Sequence, residues 1–460
     1  MNNPRHFHFI GICGTAMGSV AAALQERGFT VTGSDEKVYP PMSTFLAERG
    51  VKIREGYRPE NIPAEADLIV VGNAISRGNA EVEAVLNRKL AYLSLPETLK
   101  LFFLRGRHNL VVTGTHGKTT TTSLLTWILR EADLDPAFLI GGIPKNLGQG
   151  CSLHESKFTV LEGDEYDTAF FDKRSKFLHY LPELVIVNNI EFDHADIFED
   201  LDAIKLSFRR LLNVVPSEGM VLINADDPNC VDAARDCRAQ LVEVGFSPNA
   251  ARHIRDVKYH TSGTEFTLLD HSFHTPLIGE YNVRNCAMAI SAAHFYGVPL
   301  ATIAKAIASF AGIKRRQEVR GTVRGITVID DFGHHPTAIR ETLRGLRHQY
   351  PKRRIWALFE PRSNTTRRAV FQHDLPKALA EADGVILAQV ARMDQLKADE
   401  RLDPERVVAD IAAAGRPAYY EPGVDEIIQR LKPLAHEGDV IAILSNGGFG
   451  GIHERLLKEL

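Results

Sequence analysis

At 460 residues the chain exceeds what one compact core holds, and about three domains is the natural division. A net charge of −4 excludes the basic footprint of a nucleic-acid-binding protein. No window is long and apolar enough to span a bilayer, the N-terminus lacks a signal-peptide core, and the five scattered cysteines form no CxxC pair. Those features point to a cytoplasmic protein with reduced thiols, no membrane insertion and no cysteine metal site.

In chain order, the first segment predicts strands at His6–Ile10, Thr30–Thr32, Asp67–Val71 and Ala91–Leu93. Helices are expected over Ser19–Arg27, Ser43–Arg49 and Glu81–Lys89. Val111–Leu125 reads as a buried strand, a glycine turn and a helix start. Strands follow at Phe158–Glu162, Leu184–Asn188 and Met220–Asn224, then a β-rich part from 242 to 278 and a helix running to Phe295. Past a connector near Gly312, Thr327–Asp330, Ile355–Phe359, Gly384–Ala388 and Val440–Leu444 are strands with helices between. The alternation predicts an α/β protein of three domains, 1–106, 107–312 and 313–460, each with a mostly parallel sheet and flanking helices.

Four motifs carry chemistry. Gly11, Gly14 and Gly18 follow a strand, with Asp35 at the end of the next; this suits a phosphate site, but the spacing is not the GxGxxG dinucleotide fingerprint, and packing glycines explain it equally well. Gly114, Thr115, His116, Gly117, Lys118, Thr119 and Thr120 form a shortened lysine loop. Its glycines let backbone amides close on oxygens, Lys118 meets outer phosphates and Thr119 offers a hydroxyl to Mg2+, so ATP or GTP with magnesium is expected. Two acidic runs, Glu162–Asp167 and Glu191–His194, follow strands where parallel-sheet ligands gather. Glu162 is a natural magnesium ligand and His194 a less usual one; solvated loop acids are the alternative. Downstream, Arg315 and Arg316 suit a guanidinium clamp on a phosphoryl group or plain surface decoration. In Asp330-Asp331-Phe-Gly-His334-His335-Pro336 the ligands are too few and too adjacent for a closed tetrahedral zinc site.

The order HFIGICGTAMG, TGSD, TGTHGKTTT, LEGDEYDTAFFD, NNIEFDHADIF, GEYNVRNCAMA, KRRQE and DDFGHHPTAI resembles the Mur ligases along nearly the whole chain. The resemblance implies a UDP-sugar domain, a central P-loop-type ATPase domain and a C-terminal Rossmann-like domain receiving the amine. It implies ATP and Mg2+ as cofactors, and an acyl phosphate attacked by an amine. By motif, Lys118, Glu162 and His194 would be catalytic, with Thr119, Glu162 and His194 on metal. Asn282 and Asn285 would lie at adenine, Arg315 or Arg316 over the γ-phosphate, and Asp331 facing the nucleotide. Gly11, Gly14, Gly18, Asp35, Asn73 and Ser76 would hold the uridine diphosphate.

Within the family, GSDEKVYPPMST, GGIPKNLG, LEGDEYDTAFFDKRSKFLHY and FEPRSNT look like the branch that adds a whole peptide to UDP-N-acetylmuramate in peptidoglycan recycling. The expected partners are UDP-N-acetylmuramate and the murein tripeptide L-alanyl-γ-D-glutamyl-meso-diaminopimelate. Arg362, Ser363, Asn364 and Arg367 are positional candidates for peptide contacts. Alternatives are the L-alanine-adding ligase of primary synthesis and a non-catalytic nucleotide-binding protein. Relatives that carry a carbamylated lysine after the histidine motif differ here: Arg209 falls at that spacing, so carbamylation of Lys205 is not expected.

Overall fold

A computed structural model describes residues 4–460. The first sheet runs Lys52–Glu55, Thr30–Asp35, His6–Ile10, Leu68–Val71, Tyr92–Ser94, all parallel. Its first helix, Thr15–Glu26, starts at Thr15 and not at Ser19, so Gly18 lies within the helix. A Cβ at Gly18 would meet the Met42 sulfur at 2.4 Å and the Ile12 carbonyl at 3.1 Å, which gives that glycine a packing role.

The central sheet has eight strands in the order Arg252–His253, Gln240–Gly245, Met220–Asn224, Leu184–Val187, His108–Thr113, Phe158–Glu162, Ala137–Leu139, Cys151–Ser152. Every pairing is parallel except the last. Leu110, Val111 and Val112 of the strand His108–Thr113 are apolar and buried on both faces because helices cover both sides, as parallel sheets require. The helix Lys118–Glu131 packs Leu124, Leu125, Ile128 and Leu129 into one face, each fully buried and worth about 2 kcal/mol. On the other face, Phe103, Leu104, Val111 and Phe208 join one core with Phe7 and Phe9 of the first sheet.

The β-rich part resolves into a three-stranded antiparallel sheet, Arg255–His260, Gly263–Leu268 and His271–Thr275, beside the helix Glu280–Phe295. The C-terminal sheet runs Glu318–Val323, Ile326–Asp331, Val440–Leu444, Ile355–Phe359, Gly384–Ala388, Ala418–Glu421. Glu318–Val323 is an antiparallel edge strand that the sequence pattern does not reveal. Among the described residues no helix is long and apolar enough to cross a membrane.

Candidate active site

Strand order places the chemistry. His108–Thr113 lies between Phe158–Glu162 and Leu184–Val187, so the loops leaving all three carboxyl ends meet at one edge. Gly114 (φ +124°) brings its backbone so close that a Cβ would lie 3.0 Å from the Asn188 and Asn189 amides. Gly117 (φ +79°) is the left-handed residue before the helix, and a Cβ there would meet Asn285 Oδ1 at 2.4 Å. Only glycine fits either place without strain. No side chain caps the helix that starts at Lys118, so its first amides are available to an anion.

The rest of the loop is braced from behind. Thr115 N and His116 N donate to Asn189 O (3.0 Å) and Asn189 Oδ1 (2.7 Å). Thr115 Oγ1 accepts from Glu191 N at 2.8 Å. Thr120 is buried, and Thr121 Oγ1 accepts from Asn188 Nδ2 (3.1 Å) while donating to Asn285 Oδ1 (3.2 Å). Asn282 donates to Ile278 O at 2.9 Å. Asn282 and Asn285 thus lie buried beneath the loop, bonded to protein.

Thr119 Oγ1 donates to Glu162 Oε1 at 2.9 Å, and Gly141 N donates to Glu162 Oε2 at 2.7 Å. Burial raises the Glu162 carboxyl above its usual range, against the Gly141 amide and nearby Lys118. A cation beside it would relieve that burial, and its oxygen donors suit magnesium.

His194, held at φ +57°, does not meet Glu162. Its Nε2 lies 2.9 Å from Glu165 Oε1. Lys118 Nζ donates to both Glu165 oxygens, at 3.0 and 2.9 Å, and to Gly114 O at 2.7 Å. Glu165, 2% exposed, therefore fills the space in front of the lysine. Burial raises its carboxyl, but Lys118 and His194 outweigh burial and hold it below the usual range. Asp164, Glu165 and His194 bring their ligand atoms within 4.8 Å of one another. Glu165 belongs to the acidic run Glu162–Asp167, and only its place three residues after Glu162 sets it apart in the sequence.

From the C-terminal sheet, Arg315 and Arg316 diverge. Arg315 spends its donors on Asp330 (3.3 Å) and on the carbonyls of Ser445 (2.8 Å) and Gly447 (2.6 Å). Arg316 makes no side-chain hydrogen bond among the described residues; it lies over the Phe332 ring at 5.0 Å, and its charge is felt at Glu162 and Asp331. Asp331 accepts from Gln317 N (2.8 Å) and Gly333 N (2.7 Å), which fixes the connector after Arg316. Burial raises its carboxyl.

Across the seam between the central and C-terminal sheets, Thr365 Oγ1 donates to Asp193 at 2.6 Å and Asn364 Nδ2 to Asp196 at 2.8 Å. Arg367 is buried and bonded to Asn364 Oδ1 (3.0 Å); Ser363 bonds Thr366, and Arg362 is exposed beside Glu360. In the first sheet, Asp35 Oδ2 accepts from Cys13 N at 2.8 Å, shaping the loop of Gly11 and Gly14; Asn73 and Ser76 are exposed. Lys205 pairs with Asp232 at 2.9 Å, as does Arg209 at 2.8 Å.

Family models match this chain in three blocks: Mur ligase family, catalytic domain over 6–107; Mur ligase middle domain over 112–293; and Mur ligase, glutamate ligase domain over 315–447. The chain is 44% identical to the UDP-N-acetylmuramate–L-alanyl-γ-D-glutamyl-meso-2,6-diaminoheptandioate ligase of Escherichia coli, covering 98% of each. It belongs to the Mur ligase family. A murein peptide ligase structure from Psychrobacter arcticus superposes with a TM-score of 0.71 at 37% identity, covering 99% of this chain and 98% of that one. Similarity to the UDP-N-acetylmuramate–L-alanine ligase of Acetivibrio thermocellus is lower, at 32% over 100% of this chain and 97% of that protein. In sequence, then, these peptide-adding relatives are more similar to this chain than that alanine-adding one.

Proposed function

We propose that this Mur ligase joins L-alanyl-γ-D-glutamyl-meso-diaminopimelate to the lactyl carboxylate of UDP-N-acetylmuramate, with ATP cleaved to ADP and phosphate. The reading rests above all on the 44% identity, end to end, with a relative named for that donor and acceptor. Units 1–106, 107–312 and 313–460 would hold sugar nucleotide, ATP and peptide in turn.

The chemistry follows from bringing two anions together. The γ-phosphoryl group passes to the carboxylate, giving an acyl phosphate. The alanine amine then attacks the acyl carbon, a C–N bond forms, and phosphate leaves with the electron pair of the C–O bond. Little covalent work falls to the protein; positioning and charge neutralisation carry the rate. Lys118 would exchange Glu165 for phosphate oxygens, assisted by the helix amides behind it. Arg316, its guanidinium uncommitted, would reach the γ-phosphate in preference to Arg315. Thr119 and Glu162 would hold one magnesium ion and His194 a second; such ions neutralise charge between phosphate and carboxylate. Asn282, Asn285 and Asp331 would act as supports, the first two beneath the nucleotide and the last through the Arg316 connector. The loop of Gly11 and Gly14, with Asp35, Asn73 and Ser76 around it, would take the uridine diphosphate. Arg362 and Asn364 would contact the peptide.

Incubation with UDP-N-acetylmuramate, ATP and Mg2+ plus either tripeptide or L-alanine tests the assignment by phosphate release and product mass. Release with tripeptide is expected; equal or faster release with L-alanine overturns the acceptor. Nucleotide binding with no phosphate release from either acceptor, left unchanged in Glu162→Ala, would favour a nucleotide-binding protein without this catalysis.

A further inference from the structure

The run Asp330–Pro336 looked too poor in ligands for a metal, because its two histidines are neighbours. The fold supplies partners from elsewhere. His335 ends the loop before the helix Pro336–Gln349 of the C-terminal sheet, and its ring lies 4.4 Å from that of His116, in the lysine loop of the central domain. Glu191, from the loop after Leu184–Val187, points between them. His116 Nε2 and His335 Nδ1 each lie 3.5 Å from Glu191 Oε2, and the three ligand atoms fall within 4.8 Å of one another. Ligands on a tetrahedral ion with bonds of about 2.0–2.1 Å stand roughly 3.4 Å apart, so both measured edges match.

The hydrogen bonds of His335 and Glu191 identify the donor atoms. His335 Nε2 faces the Phe192 carbonyl at 3.2 Å, while its Nδ1 accepts from the Thr337 amide at 3.2 Å. That pattern assigns the proton to Nε2 and makes Nδ1 the electron-pair donor; its one lone pair is given to the Thr337 amide as a helix cap, a bond that an ion would displace. A backbone carbonyl orients the ring as in protein-bound metals. His116 Nε2 is buried with no hydrogen-bond partner. A buried ring nitrogen left without a partner is costly, and a cation removes the cost. Glu191 Oε2 accepts from Thr337 Oγ1 at 2.6 Å, the bond an ion would displace. A cleft of about 330 Å³ lined by Glu191, His335, Thr337, Arg340 and Lys377 opens this point to solvent.

We propose that His116, Glu191 and His335 form a site for a divalent transition cation of the zinc class, with water as fourth ligand toward the cleft. It is distinct from the oxygen-rich Thr119–Glu162 pair that suits magnesium, since two imidazoles select a softer ion. Its ligands come from both sides of the domain seam, so the ion would clamp the nucleotide loop to the C-terminal domain. The inference concerns binding and does not depend on the ligase reading.

Chelator-treated, nucleotide-free full chain is titrated with Co2+ in excess Mg2+. One equivalent giving the intense visible absorption of four-coordinate Co2+, without a near-ultraviolet thiolate band, is expected. Glu191→Gln and His335→Gln should abolish the absorption while circular dichroism stays native. In case either variant misfolds, X-ray absorption of the Zn2+-loaded native chain reads the site directly, with two imidazoles and oxygen expected. Weak octahedral absorption, displacement by Mg2+, sulfur ligation, or absorption surviving in both folded variants would overturn the site.

Discussion

Glu165→Gln tests whether Glu165 stands in for a phosphate. The carboxylate accepts from Lys118 with both oxygens, at 3.0 and 2.9 Å, and lies 2.9 Å from His194, with side chains 14% (Lys118) and 2% (Glu165) exposed. Removing one member of a buried pair costs about 3–5 kcal/mol, because the other charge is left uncompensated. Glutamine keeps one acceptor for Lys118, which returns about 1 kcal/mol and leaves a loss of about 2–4 kcal/mol. For a unit of this size that lowers the melting temperature by roughly 4–16 °C. A phosphate reaching Lys118 replaces the missing charge, and the native chain must first break a pair that the variant lacks. A non-hydrolysable ATP analogue with Mg2+ should therefore raise the melting temperature more in the variant than in the native chain, and bind it more tightly by calorimetry. If the variant binds nucleotide more weakly and gains less on heating, Glu165 belongs to the nucleotide-bound state and the reasoning fails.

Other perturbations probe the frame around that site. Gly117→Ala adds about 1–2 kcal/mol of left-handed strain and displaces Asn285 from Thr121, so chemical denaturation should show a loss of about 2–3 kcal/mol with weakened nucleotide binding. Native-like stability would show that the loop relaxes around a Cβ. Thr365→Val removes the 2.6 Å donor to Asp193 across the seam and should cost about 1–3 kcal/mol of closure, read as a larger radius of gyration by small-angle scattering; an unchanged radius counts against the seam. The Asp172 carboxyl is lowered to about 2 by the Arg174 guanidinium, with His179 also beside it. A depressed carboxyl stabilises above its unfolded pKa of 3.8, and that stability is lost as pH falls from 3.8 through about 2. Discounted for the exposed Arg174, it amounts to about 1–2 kcal/mol. Asp172→Asn should be less stable at neutral pH yet lose less on acidification over that window; parallel curves would remove Asp172 from acid lability.

Elements buried on both faces were legible in the sequence. Leu184–Val187, Ile355–Phe359 and Val440–Leu444 are unbroken apolar runs, and Leu110–Val112 a shorter one, because helices cover both sides of each sheet. Glu318–Val323 was not legible: as an edge strand it is nowhere fully buried, so no hydrophobic pattern marks it. Gly117 was readable because the backbone shape demanded glycine. Which acid or arginine in a run turns inward was not, since long-range partners decide it. Glu162 and Glu165 differ by one turn of loop, yet one holds Thr119 and Gly141 while the other holds Lys118 and His194. Arg315 and Arg316 are neighbours, yet the carbonyl of Ser445, 130 residues downstream, takes the donors of the first and leaves the second its reach. The same holds for His335: adjacency to His334 argued against a metal, and only the packing of two domains brings His116 and Glu191 to it. A motif thus names the residue types a reaction needs, while the choice among like neighbours belongs to contacts that form after the sheets have assembled.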